Sequence, residues 1–152
     1  MKPKFVDYYM KIAEVTSGLS YAKRLQVGAV IVKDNQILAT GYNGMPSGWE
    51  NVCETEHEQF VGDHNHTTLT KVLKTKPEVL HAETNAIAKV AQSTESSLGA
   101  TLFCTHAPCI ECAKLIYQSG IKTIYYKHEY RSDDGIKFLQ LSGVNVHQHN
   151  ID

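Results

Sequence analysis

The first hydrophobic pattern of the chain has helical spacing. Between residues 4 and 15 the apolar side chains recur at intervals of three or four, and Gly18 follows as a stop. Residues 27–32 and 37–42 are then two runs rich in β-branched and apolar residues, joined by a short polar turn. Such a pair is typical of a β-hairpin. The N-terminal part therefore predicts a helix followed by two antiparallel strands.

The hydrophobic pattern is interrupted after the hairpin. Gly41, Gly44, Pro46 and Gly48 break it within a few residues, and no strong periodicity returns before Pro77. We therefore predict one long loop across this stretch. Loops of that length usually bind a ligand or move, so this loop is a candidate for binding or regulation.

After Pro77 helical and strand-like segments alternate. Helices are predicted at residues 82–91, 109–119 and 133–142, and strands at residues 100–105, 121–126 and 144–147. Strand–helix–strand units of this spacing favour parallel pairing, with helices covering the sheet. The predicted fold is a three-layer α/β/α arrangement around a central mixed five-stranded sheet, formed by a single domain over residues 1–152.

Composition limits the kind of partner. A chain of 152 residues can enclose one core, and its net charge of −1 provides no basic stripe for polymeric nucleic acid. The N-terminus has no apolar run like that of a signal peptide, and no stretch is long enough to span a membrane. We therefore expect a cytoplasmic protein, in which the 4 cysteines are metal ligands or packed thiols.

Two short segments carry the candidate chemistry. The first is His81-Ala82-Glu83, and the second is Pro108-Cys109-Ile110-Glu111-Cys112. Alone, the histidine fits a packed or capping side chain, and the Cys-x-x-Cys pair fits a redox pair, half of a zinc site or chance. Together they are more specific, because each segment opens a predicted helix.

Helix geometry predicts that these residues meet. Cys109 and Cys112 are one turn apart, and His81 occupies the matching start of the preceding helix. The N-termini of helices that follow parallel strands lie at one edge of the sheet, and their partial positive charge favours thiolates. Three ligands would leave one zinc position open for water, as in catalytic sites. Glu83 is then the candidate proton carrier.

The combination of His-x-Glu with Pro-Cys-x-x-Cys resembles zinc nucleobase deaminases. Residues 27–146 resemble the cytidine deaminase superfamily, and four segments are similar to its deoxycytidylate (dCMP) deaminases. These are Val27-Gly28-Ala29-Val30-Ile31-Val32, Gly41-Tyr42-Asn43-Gly44-Met45-Pro46, His81-Ala82-Glu83-Thr84-Asn85-Ala86-Ile87 and Ser119-Gly120-Ile121-Lys122. The segment that begins at Gly41 is the most discriminating, because other branches usually lack it.

The resemblance implies that the protein converts dCMP and water into dUMP and ammonia, which would supply dUMP for thymidylate synthesis. A zinc-activated water would attack the ring carbon that bears the amine, and Glu83 would shuttle protons. It also implies a homohexamer, activated by dCTP and inhibited by dTTP. The implied effector site comprises Gly41, Tyr42, Asn43, Gly44, Met45 and Pro46. A magnesium ion could accompany a bound triphosphate effector.

Substrate contacts are also implied by the resemblance. Asn43 is expected to touch the sugar and Tyr130 to stack on the base, with Ala82, Ala107 and Pro108 completing the pocket. Each has a simpler interpretation. An asparagine between glycines often only supports a turn, and a tyrosine in a loop can simply pack.

A second zinc is a further question. Several relatives place one cysteine before the first strand and another after the Gly-Tyr-Asn-Gly segment; here Cys53 has the second place and Ala22 stands at the first. His57, His64 and His66 could substitute as ligands. We favour a solvated, histidine-rich loop and one zinc per chain.

Three other functions compete with deamination of a free nucleotide. A transfer-RNA adenosine deaminase fits poorly with the near-neutral charge, a nucleotide sensor would not need Glu83, and a structural zinc module would normally have four ligands. Among the remaining residues, Cys104 is interpreted as a packed thiol. Lys23, Arg24 and Lys33 could meet phosphates, but surface charge is the commoner explanation.

Overall fold

The computed structural model describes residues 1–150. Ile151 and Asp152, which the predicted domain includes, lie outside the described residues. The helices are α1 (Pro3–Ser17), α2 (Ala82–Ala91), α3 (Ile110–Gln118) and α4 (Asp134–Leu141). The strands are β1 (Gly28–Lys33), β2 (Gln36–Tyr42), β3 (Glu54–Gly62), β4 (Thr67–Thr75), β5 (Thr101–His106), β6 (Thr123–His128) and β7 (Asn145–Gln148). None of the helices in this part of the chain has the length and apolarity needed to cross a bilayer.

Five strands form the central sheet in the order β2-β1-β5-β6-β7. Strand β1 is antiparallel to both β2 and β5, whereas β5, β6 and β7 run parallel. Helix α1 packs on one face through Tyr9, Met10 and Ala13, and α2, α3 and α4 contribute to the core on the other face. The predicted mixed five-stranded sheet with helices on both faces is confirmed.

The turn between β1 and β2 has the residues that a tight hairpin needs, and the predicted hairpin is present. Lys33 pairs with Gln36, so only Asp34 and Asn35 form the turn. Their φ angles are 50° and 60°, a left-handed conformation that aspartate and asparagine tolerate and that tight hairpin turns require. The hydroxyl of Tyr9 donates to the backbone oxygen of Asn35 at 2.9 Å, which fastens the turn to α1.

The prediction of one long loop between Gly41 and Pro77 is wrong. Much of this stretch is a two-stranded antiparallel ribbon of β3 and β4, separate from the central sheet, which we call the arm (residues 54–75). Its side chains are mostly exposed on both faces. A strand without a buried face lacks the alternation of apolar and polar residues by which strands are recognised, and this explains the error.

Helix α2 lies very close to β2. A Cβ atom on Gly41 would lie 2.2 Å from the carbonyl oxygen of Ala82 and 2.6 Å from the backbone nitrogen of Ala86. Only glycine fits this contact between strand and helix. The contact fixes the start of α2, which carries His81 and Glu83, against the sheet.

Candidate active site

Two helix N-termini meet at the end of the sheet. His81 is the N-cap residue of α2, and Cys109 is the N-cap residue of α3, so Cys109 precedes the helix that was predicted to include it. The Nδ1 atom of His81 lies 3.2 Å from Sγ of Cys112 and 3.6 Å from Sγ of Cys109. The structure thus brings together the three residues predicted as ligands.

The chemistry of this cluster fits zinc. The three candidate ligand atoms all lie within 4.8 Å of one another, and tetrahedral zinc bonds of ordinary length place ligand atoms about 3.6 Å apart. One imidazole and two sulfurs are a ligand set typical of zinc, and three ligands leave a position for water. Within residues 1–150 this is the only group of three or more side chains so arranged.

The two thiols differ in their affinity for protons. The pKa of Cys109 is lowered to about 3, chiefly because the Cys112 thiol donates a hydrogen bond to it. The pKa of Cys112 is raised by the same hydrogen bond and by burial. The pKa of His81 is raised, mainly by its hydrogen bond with Cys109. The lowered pKa of Cys109, together with its position at a helix N-terminus, favours the thiolate form that zinc binds.

Glu83 lies at the floor of the site. It is 4% exposed, in the first turn of α2, and it lines the same cleft as His81 and Cys109. Burial raises the pKa of its carboxyl group above the usual value. A carboxyl group with a raised pKa can take up and return a proton near neutral pH, which general acid–base catalysis needs.

A cleft of about 760 Å³ opens above the cluster. Of the residues predicted to bind substrate, Asn43, Ala82, Ala107 and Tyr130 line this cleft. Pro108 does not line it and is fully buried. The structure therefore gathers four of the five predicted contacts around one space, and their roles toward a substrate stay predictions.

Four basic residues of the cleft were not predicted as site residues: Arg24, His106, His128 and Arg131. The two histidines are paired across β5 and β6, and their ring centres lie 5.0 Å apart. Both stand at the carboxyl ends of adjacent parallel strands, where α/β sheets bind ligands, and this position was the available signal. The pKa of His106 is lowered by burial and by the neighbouring His128.

Asn43 has a clear structural role. Its side-chain oxygen accepts a hydrogen bond from the backbone N–H of Val27 at 2.8 Å, and its amide donates to the carbonyl oxygen of Leu25 at 2.8 Å. An amide has two donors and can accept twice, so one donor and one acceptor position remain. The supporting role and the predicted sugar contact are thus compatible.

The comparisons with known proteins agree with this site. The family described as the cytidine and deoxycytidylate deaminase zinc-binding region matches residues 3–128. The chain belongs to this deaminase family. The resemblance that was inferred from His81, Glu83 and the two cysteines is therefore confirmed.

Three similar proteins within this deaminase family are all deoxycytidylate deaminases. The dCMP deaminase of cyanophage S-TIM5, solved in complex with dCMP and dUMP, is 47% identical, with a TM-score of 0.85 over 98% of this chain and 99% of that one. The deoxycytidylate deaminase of Enterobacteria phage T4 is 33% identical, and the match spans 93% of this chain and 90% of the phage protein. That of Saccharomyces cerevisiae is 34% identical over 97% of this chain, which spans only 46% of the yeast protein.

The segment predicted as the effector site of this deaminase is packed into the fold. Gly41 contacts α2, Gly44 pairs with Leu80 through two backbone hydrogen bonds, and Met45 packs against a small apolar cluster. Met45 also borders a second hollow of about 460 Å³ that includes Lys76 but also two glutamates, Glu50 and Glu78. The effector role stays a prediction.

The expected position of a second zinc in this deaminase is apolar. Cys53 is 1% exposed and packs with Ala22 and Val79. His57, His64 and His66 are exposed on the arm and its turn. Among the residues that the structure describes, these side chains do not gather into a group of three potential ligands. This arrangement favours the solvated, histidine-rich interpretation.

Proposed function

We propose that this protein catalyses the hydrolytic deamination of dCMP to dUMP and ammonia. The observation that carries the proposal is the convergence of His81, Cys109 and Cys112 beside the buried carboxyl group of Glu83, at the floor of a cleft. Similarity to dCMP deaminases, one of them solved with dCMP and dUMP, supports the substrate.

His81, Cys109 and Cys112 would hold the zinc, which, when bound, lowers the pKa of a coordinated water and polarises it for attack. Glu83 accepts the proton released by the attacking water and delivers it to the ring nitrogen next to the reacting carbon. The same carboxylate then takes the proton of the hydroxyl group newly bonded to the ring carbon and passes it to the amine. The bond between this carbon and the amine nitrogen breaks, ammonia leaves, and the carbonyl group of dUMP forms. The raised pKa of Glu83 suits both the uptake and the release of a proton.

The cleft walls would orient the nucleotide. Ala82 and Ala107 are small, so the base can closely approach Glu83 and the N-termini of helices α2 and α3. Tyr130 would stack on the base, and the free donor of Asn43 would bind the sugar. Pro108, buried behind the cleft, would act through the backbone that leads to Cys109.

The substrate assignment is tested with purified zinc-loaded protein and four cytosine compounds: dCMP, CMP, deoxycytidine and dCTP. Loss of the amino chromophore, followed by absorbance, should be fastest with dCMP. Turnover of only the unphosphorylated nucleoside, or of only the triphosphate, would overturn the assignment. Zinc content, measured by elemental analysis, should be one per chain, because only one ligand cluster forms within the described residues.

We also propose that the enzyme works as a cytoplasmic homohexamer on free nucleotides, activated by dCTP and inhibited by dTTP. The net charge of −1 supports a free nucleotide over a polymer, and the cysteines are free thiols. The effectors, with magnesium on their phosphates, would bind at residues 41–46. That segment contacts α2 and includes the cleft residue Asn43, so a movement of the segment can reach the site.

An effector titration tests this regulation separately from the reaction. Rates at low dCMP concentration should rise with dCTP and fall with dTTP, and light scattering after gel filtration should give the mass of six chains. If neither nucleotide shifts the rate, the regulatory role of residues 41–46 fails, while the proposed reaction stands.

A further inference from the structure

The side chain of His106 borders the place of the reaction. Side chains alternate between the two faces of a strand, so His106 lies on the same face of β5 as Leu102 and Cys104. Both of these pack in the core cluster to which α2 and α3 contribute. His106 lies shortly before Cys109 in the chain and lines the same cleft as Glu83. The imidazole is therefore next to the space that the reacting base has to occupy.

A buried threonine fixes one nitrogen of this ring. The hydroxyl oxygen of Thr105, a residue that is 3% exposed, accepts a hydrogen bond from the backbone N–H of Gly28 at 3.1 Å. The same oxygen lies 2.9 Å from Nδ1 of His106. Within residues 1–150 this nitrogen is the one acceptor within reach of the hydroxyl proton. A buried hydroxyl proton without an acceptor costs free energy, so the hydroxyl group donates to Nδ1.

This hydrogen bond selects one tautomer of His106. When Nδ1 accepts, a neutral imidazole carries its proton on Nε2. The opposite tautomer would direct a second donor at the oxygen of Thr105, beside the N–H of Gly28, and would leave the hydroxyl proton unpaired. Burial and the neighbouring His128 lower the pKa of His106, which favours the neutral ring near neutral pH. His106 thus presents an N–H donor whose position on the ring is fixed.

The Nε2–H group of His106 is left for a ligand. Among the residues that the structure describes, the bond with Thr105 is the only hydrogen bond that this ring makes. The ring is half-buried, and it lines the cleft. A donor that is already ordered loses little conformational entropy when it binds an acceptor. The cleft therefore contains a donor that awaits an acceptor atom.

The chemistry of cytosine limits the acceptor to one atom of the base. In the proposed reaction the amine leaves, and the neighbouring ring nitrogen takes a proton from Glu83. The base has one further acceptor, the 2-carbonyl oxygen, which the product keeps. We propose that His106 is a specificity-determining residue whose Nε2–H group donates to this oxygen, and that Thr105 is its positioning residue. This inference rests on the proposed function, because a pyrimidine nucleotide brings the oxygen into the cleft.

His128 is the competing donor. It pairs with His106 across β5 and β6, and the two ring centres lie 5.0 Å apart. Within residues 1–150 the ring of His128 makes no hydrogen bond with a side chain or the backbone, so neither of its tautomers is fixed. Its side chain is also exposed, whereas that of His106 is half-buried. Ordering such a ring on binding costs more entropy, which favours His106 as the donor.

The first test measures binding by calorimetry, with zinc-loaded protein and two ligands, dUMP and 2-thio-dUMP. His106→Leu should raise Kd for dUMP about 3- to 10-fold, the effect of one lost neutral hydrogen bond. Sulfur is a weak acceptor, so the wild type should bind 2-thio-dUMP less tightly. His106→Leu should weaken that ligand by less than about twofold, because the contact is already lost. An equal loss for both ligands would overturn the proposal.

Two further ligands separate the base from the rest of the nucleotide. Deoxyuridine lacks the phosphate, and 2′,3′-dideoxyuridine monophosphate lacks the 3′-hydroxyl group, but both keep the 2-carbonyl oxygen. His106→Leu should weaken both by the same factor as dUMP. If its effect disappears with either compound, the acceptor belongs to the phosphate or the sugar, and the assignment to the base is wrong.

Two amide variants test the position of the donor on the ring. The amide nitrogen of glutamine can take the place of Nε2, whereas that of asparagine lies near Nδ1. His106→Gln should therefore bind dUMP more tightly than His106→Asn, which should resemble His106→Leu. Equal affinities would contradict a donor at Nε2. His128→Leu should raise Kd less than His106→Leu, and the reverse order would assign the contact to His128.

The arm offers a matched control. The hydroxyl group of Thr55 lies 2.8 Å from Nε2 of His57, so this exposed pair has the same chemistry outside the cleft. His57→Leu should leave the affinity for all four ligands unchanged. Zinc content and Tm, measured for each variant, show whether a loss of affinity follows from a damaged fold.

The role of Thr105 is tested by the tautomer itself. In protein labelled with ¹⁵N-histidine, long-range proton–nitrogen NMR distinguishes the two neutral tautomers, and His106→Gln identifies the signals of His106 by their loss. The wild type and Thr105→Ser should show the proton on Nε2, whereas Thr105→Val should show an increased share on Nδ1 and weaker binding of dUMP. A wild-type ring with its proton on Nδ1 would refute the positioning role.

These measurements do not depend on turnover. Coupling between His106 and the 2-carbonyl oxygen supports this inference even if no cytosine compound is deaminated. If dCMP is deaminated and dUMP binds equally well to the wild type and His106→Leu, the inference fails and the proposed reaction stands.

Discussion

The floor of the cleft and the tip of the arm differ in almost every physical property. At the cleft floor two helices meet, Glu83 is 4% exposed, and Ala82 and Cys112 are buried beside it. At the tip of the arm Phe60 is 71% exposed and Leu69, directly opposite it, is 51% exposed. The first region has a fixed arrangement imposed by packing. The second is held by its own ladder of backbone hydrogen bonds.

This difference shows where chemistry can be located. A proton carrier has to be kept within a fraction of an ångström of its partners, and this requires a packed surrounding. A two-stranded ribbon on its own is only marginally stable in water. The base of the arm can contribute to the cleft because Glu54 is buried there, next to the buried Cys53, whereas the exposed tip cannot.

The largest expected effect is on catalysis. Glu83→Gln should lower kcat for dCMP by about 10²- to 10⁴-fold, because it removes the proton carrier but keeps the shape of the side chain. Zinc content, measured by elemental analysis, should remain at the wild-type value. Glu111→Gln, at an exposed glutamate paired with Lys114, is the matched control and should keep full activity. Survival of activity in Glu83→Gln would refute the mechanism.

The same substitution, leucine to alanine, should change the free energy of unfolding much more in the central sheet than at the tip of the arm. Leu102→Ala, at a side chain that is 0% exposed in the central sheet, should lower the free energy of unfolding by about 2–5 kcal/mol. Leu69→Ala, at the tip of the arm, should change it by no more than about 0.5 kcal/mol. Urea unfolding followed by circular dichroism measures both. Equal losses would mean that the arm is also packed in solution.

Gly41 and Gly44, both in residues 41–46, allow a tightly packed position to be compared with an open one. Gly41→Ala should lower the free energy of unfolding by about 1–3 kcal/mol, because the added Cβ atom would overlap the backbone of Ala82. Gly44→Ala is the control, since a Cβ atom there meets no heavy atom within 4 Å. It should stay within about 0.5 kcal/mol of the wild type. An equal response at both positions would contradict the close contact between β2 and α2.

The smallest effect concerns pH. The pKa of His106 is lowered in the folded state by burial and by His128, so the unfolded chain binds its proton more readily. Stability should therefore fall as the pH drops below the ordinary histidine pKa of about 6.5, and the loss should end once the pH is below the folded pKa. His106→Gln should show a smaller decline in Tm than the wild type. Identical declines would show that His106 does not contribute.

The central sheet and the ligand cluster were predictable because local patterns and burial agree. Helix α2 was predicted at its observed bounds, and the positions of His81, Cys109 and Cys112 at helix starts indicated that they converge. Cys109 and Cys112 are three residues apart in the sequence, which corresponds to about one helical turn, so this spacing already indicated that they lie close together. The family resemblance then narrowed the chemistry to cytosine nucleotides.

The arm and the polar walls of the cleft were not predictable in the same way. Strands β3 and β4 have no buried face, so their sequences lack the alternation of apolar and polar residues that identifies a strand. Arg24 lies in a segment without periodicity, and its place in the cleft depends on Glu54, which is distant in the sequence. Such contacts between irregular segments have no local signal, so Arg24 was interpreted as surface charge.

The position of β1 also has a consequence for the order of folding. Strand β1 pairs with β2 through a two-residue turn, but its other neighbour, β5, follows only after the arm and α2. Closing such a long loop is slow compared with forming a hairpin. His81 lies before β5, and both cysteines lie after it. We therefore expect the complete ligand set to assemble only after β1 has paired with β5, so that zinc binding measured during refolding would report this late step.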